Sequence, residues 1–100
     1  MKKAFSKTKL ECKVTFQLSA EILAGSKSAS VAGDFNNWNT ETHPLKITKG
    51  EGSVSVNLEI GKEYQYKFVI DGNRWENDPQ ADRFVSNEFG EANSIVEVYN

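Results

Sequence analysis

The sequence predicts an all-β fold, an immunoglobulin-like antiparallel β-sandwich of about seven strands. Apolar residues alternate with polar residues at a period of two along most of the chain. Turn-forming residues separate these segments at short intervals, and no segment has the pattern of a long helix. A small β-barrel built from the same strands is the alternative fold. With 100 residues, the chain has the length of one domain.

The first half of the chain contains three predicted strands. Along residues 10–18 every second residue is apolar, which indicates a half-buried strand with one face in water. A short connection over residues 20–25 leads to a second strand over residues 28–33, with Ala29 and Val31 pointing inward. Leu45 and Ile47 continue the alternation and predict a third strand.

Two longer strands follow in the second half. Glycines in the segment 49–52 predict a turn, because glycine adopts positive φ without steric cost. Alternation then predicts a strand over residues 53–58 and a second one, with the strongest pattern in the chain, over residues 63–71. The pair Gly61-Lys62 has the composition of a tight turn and predicts that these two strands form a hairpin.

The alternation breaks between Gly72 and Ser94, where the sequence is mostly polar. Loops of this length in a compact domain are usually functional. Residues 95–99 are again apolar at alternate positions and predict the last strand.

Composition argues against several classes of function. The chain has 12 basic and 14 acidic residues, whereas a nucleic-acid partner requires a basic excess or stripe. No apolar segment reaches the length of a membrane span or of a signal-peptide core, so we expect no membrane partner and a cytoplasmic location. The single cysteine, Cys12, excludes an internal disulfide. Residues 1–8 are predicted to be a flexible basic tail, and residues 9–100 the domain itself.

The sequence is poorly supplied for catalysis, and we expect no enzyme, no cofactor and no metal site. The only histidine is His43, in a loop, and neither it nor Cys12 has a spaced partner for a metal. A pair of aspartates is a conceivable glycosidase centre. However, Asp34 and Asp71 adjoin glycines, in turns where an aspartate usually bonds its own backbone.

Two tryptophans lie in polar segments that do not look like core. Trp38 follows Phe35-Asn36-Asn37, and Trp75 lies between Arg74 and Glu76. An indole plane can cover the apolar face of a sugar ring, while amide and ammonium groups bond its hydroxyls. The alternative is that each indole caps the end of the sandwich as part of the core. For Lys67 the alternative is an exposed lysine on a strand face.

Four motifs occur in a fixed order: Val31–Trp38, Tyr64–Gly72, Trp75 with Asp78-Pro79, and Gly90 with Asn93-Ser94. In this order they resemble the glycogen-binding domain of the AMP-activated protein kinase beta subunit. They are also similar to the early-set domain at the N-terminus of isoamylases and branching enzymes, carbohydrate-binding module family 48. The resemblance covers residues 12–99 and is closest to small bacterial members that exist as one isolated domain. It implies an immunoglobulin-like sandwich that binds α-1,4-glucans such as glycogen or starch.

The resemblance also implies roles for individual residues. Trp38 and Trp75 match the two tryptophans on which sugar rings stack. Lys67 and Asn93 match the residues that bond sugar hydroxyls. Phe89 stands where the kinase domain has a leucine that inserts into the curve of the glucan.

Two positions depart from the kinase domain: Glu91 replaces a threonine, and the turn before Trp75 is one residue longer. The predicted function is therefore non-catalytic binding of an α-glucan polysaccharide or oligosaccharide, with a glucan-metabolising enzyme as a further partner. The alternative is a scaffold domain that packs on such an enzyme through its exposed aromatic residues and binds no sugar.

Overall fold

The computed structural model describes all 100 residues, Met1 to Asn100. Its elements in chain order are β1 (Lys2–Phe5), β2 (Glu11–Leu18), α1 (Ala20–Leu23), β3 (Ala29–Gly33), β4 (Lys46–Thr48), β5 (Glu51–Glu59), β6 (Lys62–Ile70), β7 (Arg74–Glu76), β8 (Arg83–Ser86) and β9 (Ala92–Val98). Strands β1, β2, β5 and β4 form the first antiparallel sheet in that order. The second sheet has the order β3, β6, β9, β8, with β7 paired to β6. Two separate sheets confirm the predicted sandwich over the barrel.

The core lies between the two sheets and is built from the alternate residues that the sequence predicts to point inward. Along β2, residues Cys12, Val14, Phe16 and Leu18 are buried, while the intervening residues are exposed or half-buried. The ring of Phe16 lies 4.7 Å from that of Tyr66, its neighbour across the core. Each such side chain contributes about 1.5–3 kcal/mol by burial, so the alternation itself holds the sheets together.

The predicted flexible tail is wrong for residues 2–5, which form the edge strand β1. This strand pairs with β2, with Lys2 opposite Thr15 and Phe5 opposite Cys12. The Lys3 ammonium lies 2.6 Å from the Asp82 carboxylate and ties the strand to the second sheet. Exposed lysines are common on edge strands because they discourage pairing with other chains. The basic composition that indicated a tail is thus equally typical of an edge.

The predicted hairpin at Gly61 is also wrong, because the strands before and after it belong to different sheets. Strand β5 pairs with β2 and β4, whereas β6 pairs with β3, β7 and β9. The two-residue connection Ile60-Gly61 crosses between the sheets, with Gly61 at φ +96°. The Gly61 N–H donates to the Val98 carbonyl at 2.7 Å, which fastens the crossing to the second sheet.

The long predicted loop over residues 72–94 contains two short strands. Strand β7 returns along β6 after a turn at Asp71 and Gly72, both at positive φ. Strand β8 lies at the edge of the second sheet, beside β9. With three and four residues, these strands are too short to show a period of two in the sequence.

No helix in the structure has the length and apolar character needed to cross a membrane.

Candidate functional site

A groove of about 750 Å³ opens on the outer face of the second sheet. All five residues assigned to sugar binding in the sequence lie along it, together with five others. The lining residues are Asp34, Trp38, Gln65, Lys67, Trp75, Asn87, Glu88, Phe89, Glu91 and Asn93. The fold therefore brings together side chains from the loop after β3, from β6, from β7, from the loop before β9 and from β9 itself.

Trp38 is half-buried and lies in the tight turn that follows β3. Its backbone is left-handed, at φ +58°, and its N–H donates to the Gly33 carbonyl at 2.8 Å. The indole Nε1–H donates to Asp34 Oδ1 at 3.1 Å. Trp38 lines the groove, and this hydrogen bond occupies the only polar atom of its ring.

Asp34 anchors this tryptophan to the sheet. Its second oxygen, Oδ2, accepts the backbone N–H of Gln65 on strand β6 at 2.8 Å. The prediction that Asp34 bonds the backbone of its own turn is therefore wrong, since its two bonds go to the indole of Trp38 and to the backbone of a different strand. Asn36 instead bonds the backbone next to the turn. Its side chain accepts the Gly33 N–H at 3.0 Å and donates to the Val31 carbonyl at 3.1 Å.

Trp75 lies on β7, directly opposite Val69 of β6, and 45% of its surface is exposed. The neighbouring Arg74 donates to the Ile22 carbonyl of α1 at 3.0 Å and fixes one side of the hairpin. At the hairpin turn, Asp71 accepts from the backbone N–H of Ser28 at 3.3 Å, so the prediction that it bonds its own turn is wrong.

A buried polar network fixes the segment that follows Trp75. The Tyr66 hydroxyl donates to Asp78 Oδ2 at 2.6 Å, and the Asp78 N–H donates to Ser94 Oγ at 2.9 Å. The Ser94 hydroxyl in turn donates to Asn77 Oδ1 at 2.8 Å. Burial, and then the bond to Asp78, raise the pKa of the Tyr66 phenol far above its usual range. These contacts tie the chain after β7 to β6 and β9.

Lys67 and Asn93 form the floor of the groove, and each is only 9% exposed. The reading of Lys67 as an exposed surface lysine is therefore wrong. Its Nζ lies 3.7 Å from the Glu91 carboxylate. Asn93 donates to Gln65 Oε1 at 3.0 Å and accepts from Asn87 Nδ2 at 3.4 Å. Both side chains are thus oriented by neighbours that also line the groove.

Phe89 stands at the rim of the groove and is 81% exposed. The loop that carries it is organised by Asn87, whose Oδ1 accepts the N–H groups of Phe89 at 2.9 Å and of Glu91 at 3.0 Å. Gly90 supplies the positive φ, +78°, that reverses the chain. The loop therefore holds a large apolar ring in water beside the groove, where a ligand in the groove could cover it.

Comparison with known proteins gives a match over residues 14–100 to a family model described as the glycogen recognition site of AMP-activated protein kinase. The chain belongs to this glycogen-recognition family. The match covers most of the domain, from the first core strand to the last residue, and it confirms the resemblance carried by the four motifs. The comparison with curated proteins gave no match.

In this glycogen-recognition domain, sequence reasoning missed three groove residues that support the others: Asp34, Gln65 and Asn87. The sequence could have predicted Gln65 as a groove residue, because it lies two positions before Lys67 and strand alternation places both side chains on one face. Asp34 acts partly through the backbone of β6, a partner that no local pattern predicts. Asn87 accepts from N–H groups two and four residues later in its own loop, contacts that an asparagine in a turn commonly makes.

Proposed function

We propose that this domain binds α-1,4-glucan without catalysis, by stacking two sugar rings on Trp38 and Trp75. The observation that carries the proposal is the single groove, in which both indoles, Lys67, Phe89 and Asn93 meet. Membership in the glycogen-recognition family supports the same ligand class.

The chemistry of the groove fits a neutral sugar chain. A pyranose has apolar C–H faces and a rim of hydroxyls, and an indole covers such a face at low conformational cost because it has two side-chain torsions. Phe89 projects between successive glucoses, where its exposed ring loses contact with water. The Lys67 ammonium and the Asn93 amide supply hydrogen bonds to hydroxyls at the edge of the rings.

The affinity of such a site is expected to be modest. The groove is open, and its polar groups exchange hydrogen bonds with water before they bond a sugar. Binding also restricts a flexible ligand. We therefore expect a Kd of about 10 μM to 1 mM, or about 4–7 kcal/mol.

We propose that the domain is not catalytic because of the partners that the groove carboxylates have. A glycosidase requires two carboxyl groups that flank the scissile bond, one as acid and one as nucleophile or base. Asp34 has both oxygens engaged by N–H donors, and Glu91 faces the Lys67 ammonium. These partners assign structural and electrostatic roles to two of the three carboxylates that line the groove.

The test is retardation in a native gel that contains glycogen. We expect Trp38→Ala and Trp75→Ala each to lose the retardation of the wild type, at a cost of at least about 2 kcal/mol, or about 30-fold in Kd. The matched control is Phe84→Ala, since Phe84 is 48% exposed but lies outside the groove, and it should migrate like the wild type. Circular dichroism checks that each variant is folded.

The result against the proposal is a folded wild-type protein that glycogen does not retard. That result favours the scaffold function, in which the exposed aromatic residues contact a glucan-metabolising enzyme. The cytoplasmic location expected from the sequence is likewise a proposal, and a single cysteine fits a reducing compartment.

A further inference from the structure

We propose that the groove selects uncharged glucans and rejects glucans that carry phosphate esters. This inference rests on the proposed function, and it names Glu88 and Glu91 as the residues that determine the selection. The groove is lined by three carboxylates, those of Asp34, Glu88 and Glu91, and by a single cation, Lys67. Negative charge therefore exceeds positive charge along the whole surface that a sugar chain would contact.

The one cation is not available as an anion site. Lys67 is 9% exposed, and the nearest acidic group, the Glu91 carboxylate, lies 3.7 Å from its Nζ. This carboxylate offsets the ammonium charge but at 3.7 Å is too far to accept a hydrogen bond, so the ammonium hydrogens remain available to neutral hydroxyls. No arginine lines the groove, and Arg74, on the same strand as Trp75, pairs instead with Glu76 at 3.5 Å.

A phosphate monoester carries about −1.5 to −2 charges at pH 7. Placed in the groove, it would meet a surface that carries three carboxylates and one ammonium group, and that ammonium already lies beside Glu91. The groove is open to water, so the repulsion is moderate and is screened over a distance of about 10 Å at 0.1 M salt. We expect a phosphorylated glucan to bind about tenfold more weakly than its neutral counterpart at low salt, which corresponds to about 1.4 kcal/mol.

Glu88 and Glu91 are suitable for testing this selection because the fold does not depend on their carboxylates. Both residues are exposed, and the Glu91 side chain is 70% accessible. Glu91 makes its only charged contact with Lys67, and Glu88 has no side-chain hydrogen bond or ion pair. Asp34 is unsuitable, since its carboxylate holds Trp38 and the backbone of β6.

The experiment titrates the protein with maltoheptaose and with maltoheptaose bearing one phosphate monoester, at low and high salt, by calorimetry. The measured quantity is the ratio of the two Kd values. In the wild type this ratio should be about ten at low salt and should fall towards one at about 1 M salt, where the screening length is about 3 Å. In the double variant Glu88→Gln/Glu91→Gln the ratio should fall to about one to two at low salt.

The matched control is Glu11→Gln/Glu51→Gln, which removes the same total charge from exposed residues outside the groove. It should keep the ratio of the wild type. A wild type that binds both ligands equally overturns the selection but leaves the proposed function intact. A wild type that binds neither overturns both, and a groove variant with an unchanged ratio shows that these two carboxylates are not the cause.

Discussion

Tyr66→Phe removes a single hydroxyl from the centre of the fold. Its effect on stability follows from the burial of the Tyr66 hydroxyl and of the Asp78 carboxylate that accepts its hydrogen bond. The Tyr66 ring is fully buried, and its hydroxyl donates to Asp78, which is 1% exposed. Phenylalanine preserves the packing against Phe16, but Asp78 Oδ2 loses its donor where water does not reach. Hydrogen bonds to charged groups contribute about 1.5–3 kcal/mol, so we expect a loss of about 2 kcal/mol in the free energy of unfolding. For a domain of this size that lowers Tm by about 8–16 °C.

The same substitution changes the response of stability to alkaline pH. The pKa of Tyr66 is raised in the folded state, whereas in the unfolded chain the phenol titrates near pH 10. The stabilisation is therefore present in full below about pH 10 and is lost as the pH rises above it, because the folded state then binds one more proton than the unfolded state. Above about pH 10 the free energy of unfolding of the wild type therefore falls by about 1.4 kcal/mol per pH unit through this residue. The Tyr66→Phe variant lacks this contribution because phenylalanine does not titrate.

Urea unfolding at pH 7 and at pH 11, followed by circular dichroism, measures both effects. The stability gap between the wild type and Tyr66→Phe should be about 2 kcal/mol at pH 7 and should narrow by about 1.4 kcal/mol at pH 11. Contributions from Tyr64, whose pKa is raised mainly by burial, are present in both proteins and cancel in the difference. The control is Tyr99→Phe, at a tyrosine that is 55% exposed. A gap that stays constant with pH would refute the reasoning.

Four further substitutions, at three positions, test how the site is built. Gly33→Ala places a Cβ 2.5 Å from a backbone oxygen of β6, so thermal unfolding should show a loss of about 1–3 kcal/mol. Asp34→Ala frees the indole of Trp38, and glucan titration should show an affinity about fivefold lower. Asp34→Asn, which can accept only one of the two N–H groups, should lie in between. Asn87→Ala releases the loop at the rim, and the same titration should show a two- to fivefold loss (about 1 kcal/mol at most) with little change in Tm.

The sequence predicts those strands of the fold in which apolar and polar residues alternate. In β2 and β6, alternate residues face the core because successive side chains of a strand point to opposite faces. The crossing at Gly61 has the local composition of a hairpin. Turn residues specify a reversal of the chain but not which strands pair afterwards, so the change of sheet was not predictable.

The candidate site likewise has a part that the sequence predicts and a part that it does not. The five residues predicted to bind sugar follow from motifs, and the structure brings them to one groove. The supporting contacts depend on tertiary structure: Asp34 reaches the backbone of Gln65, a residue 31 positions away. Lys67 has the sequence pattern of an exposed strand residue, yet it is only 9% exposed, and Glu91 of the loop before β9 lies 3.7 Å from its Nζ. Burial of this kind depends on loop conformation, which alternation does not describe.

The most direct test of the two-tryptophan platform is the NMR titration of the indole N–H signals with maltoheptaose. The chain has two tryptophans, and both line the groove, so each ring reports on its own contact with sugar. The account predicts that both signals shift along saturable curves with one common Kd in the range of about 10 μM to 1 mM. If either indole signal stays unmoved at about 10 mM ligand while the protein is folded, the platform of Trp38 and Trp75 is wrong.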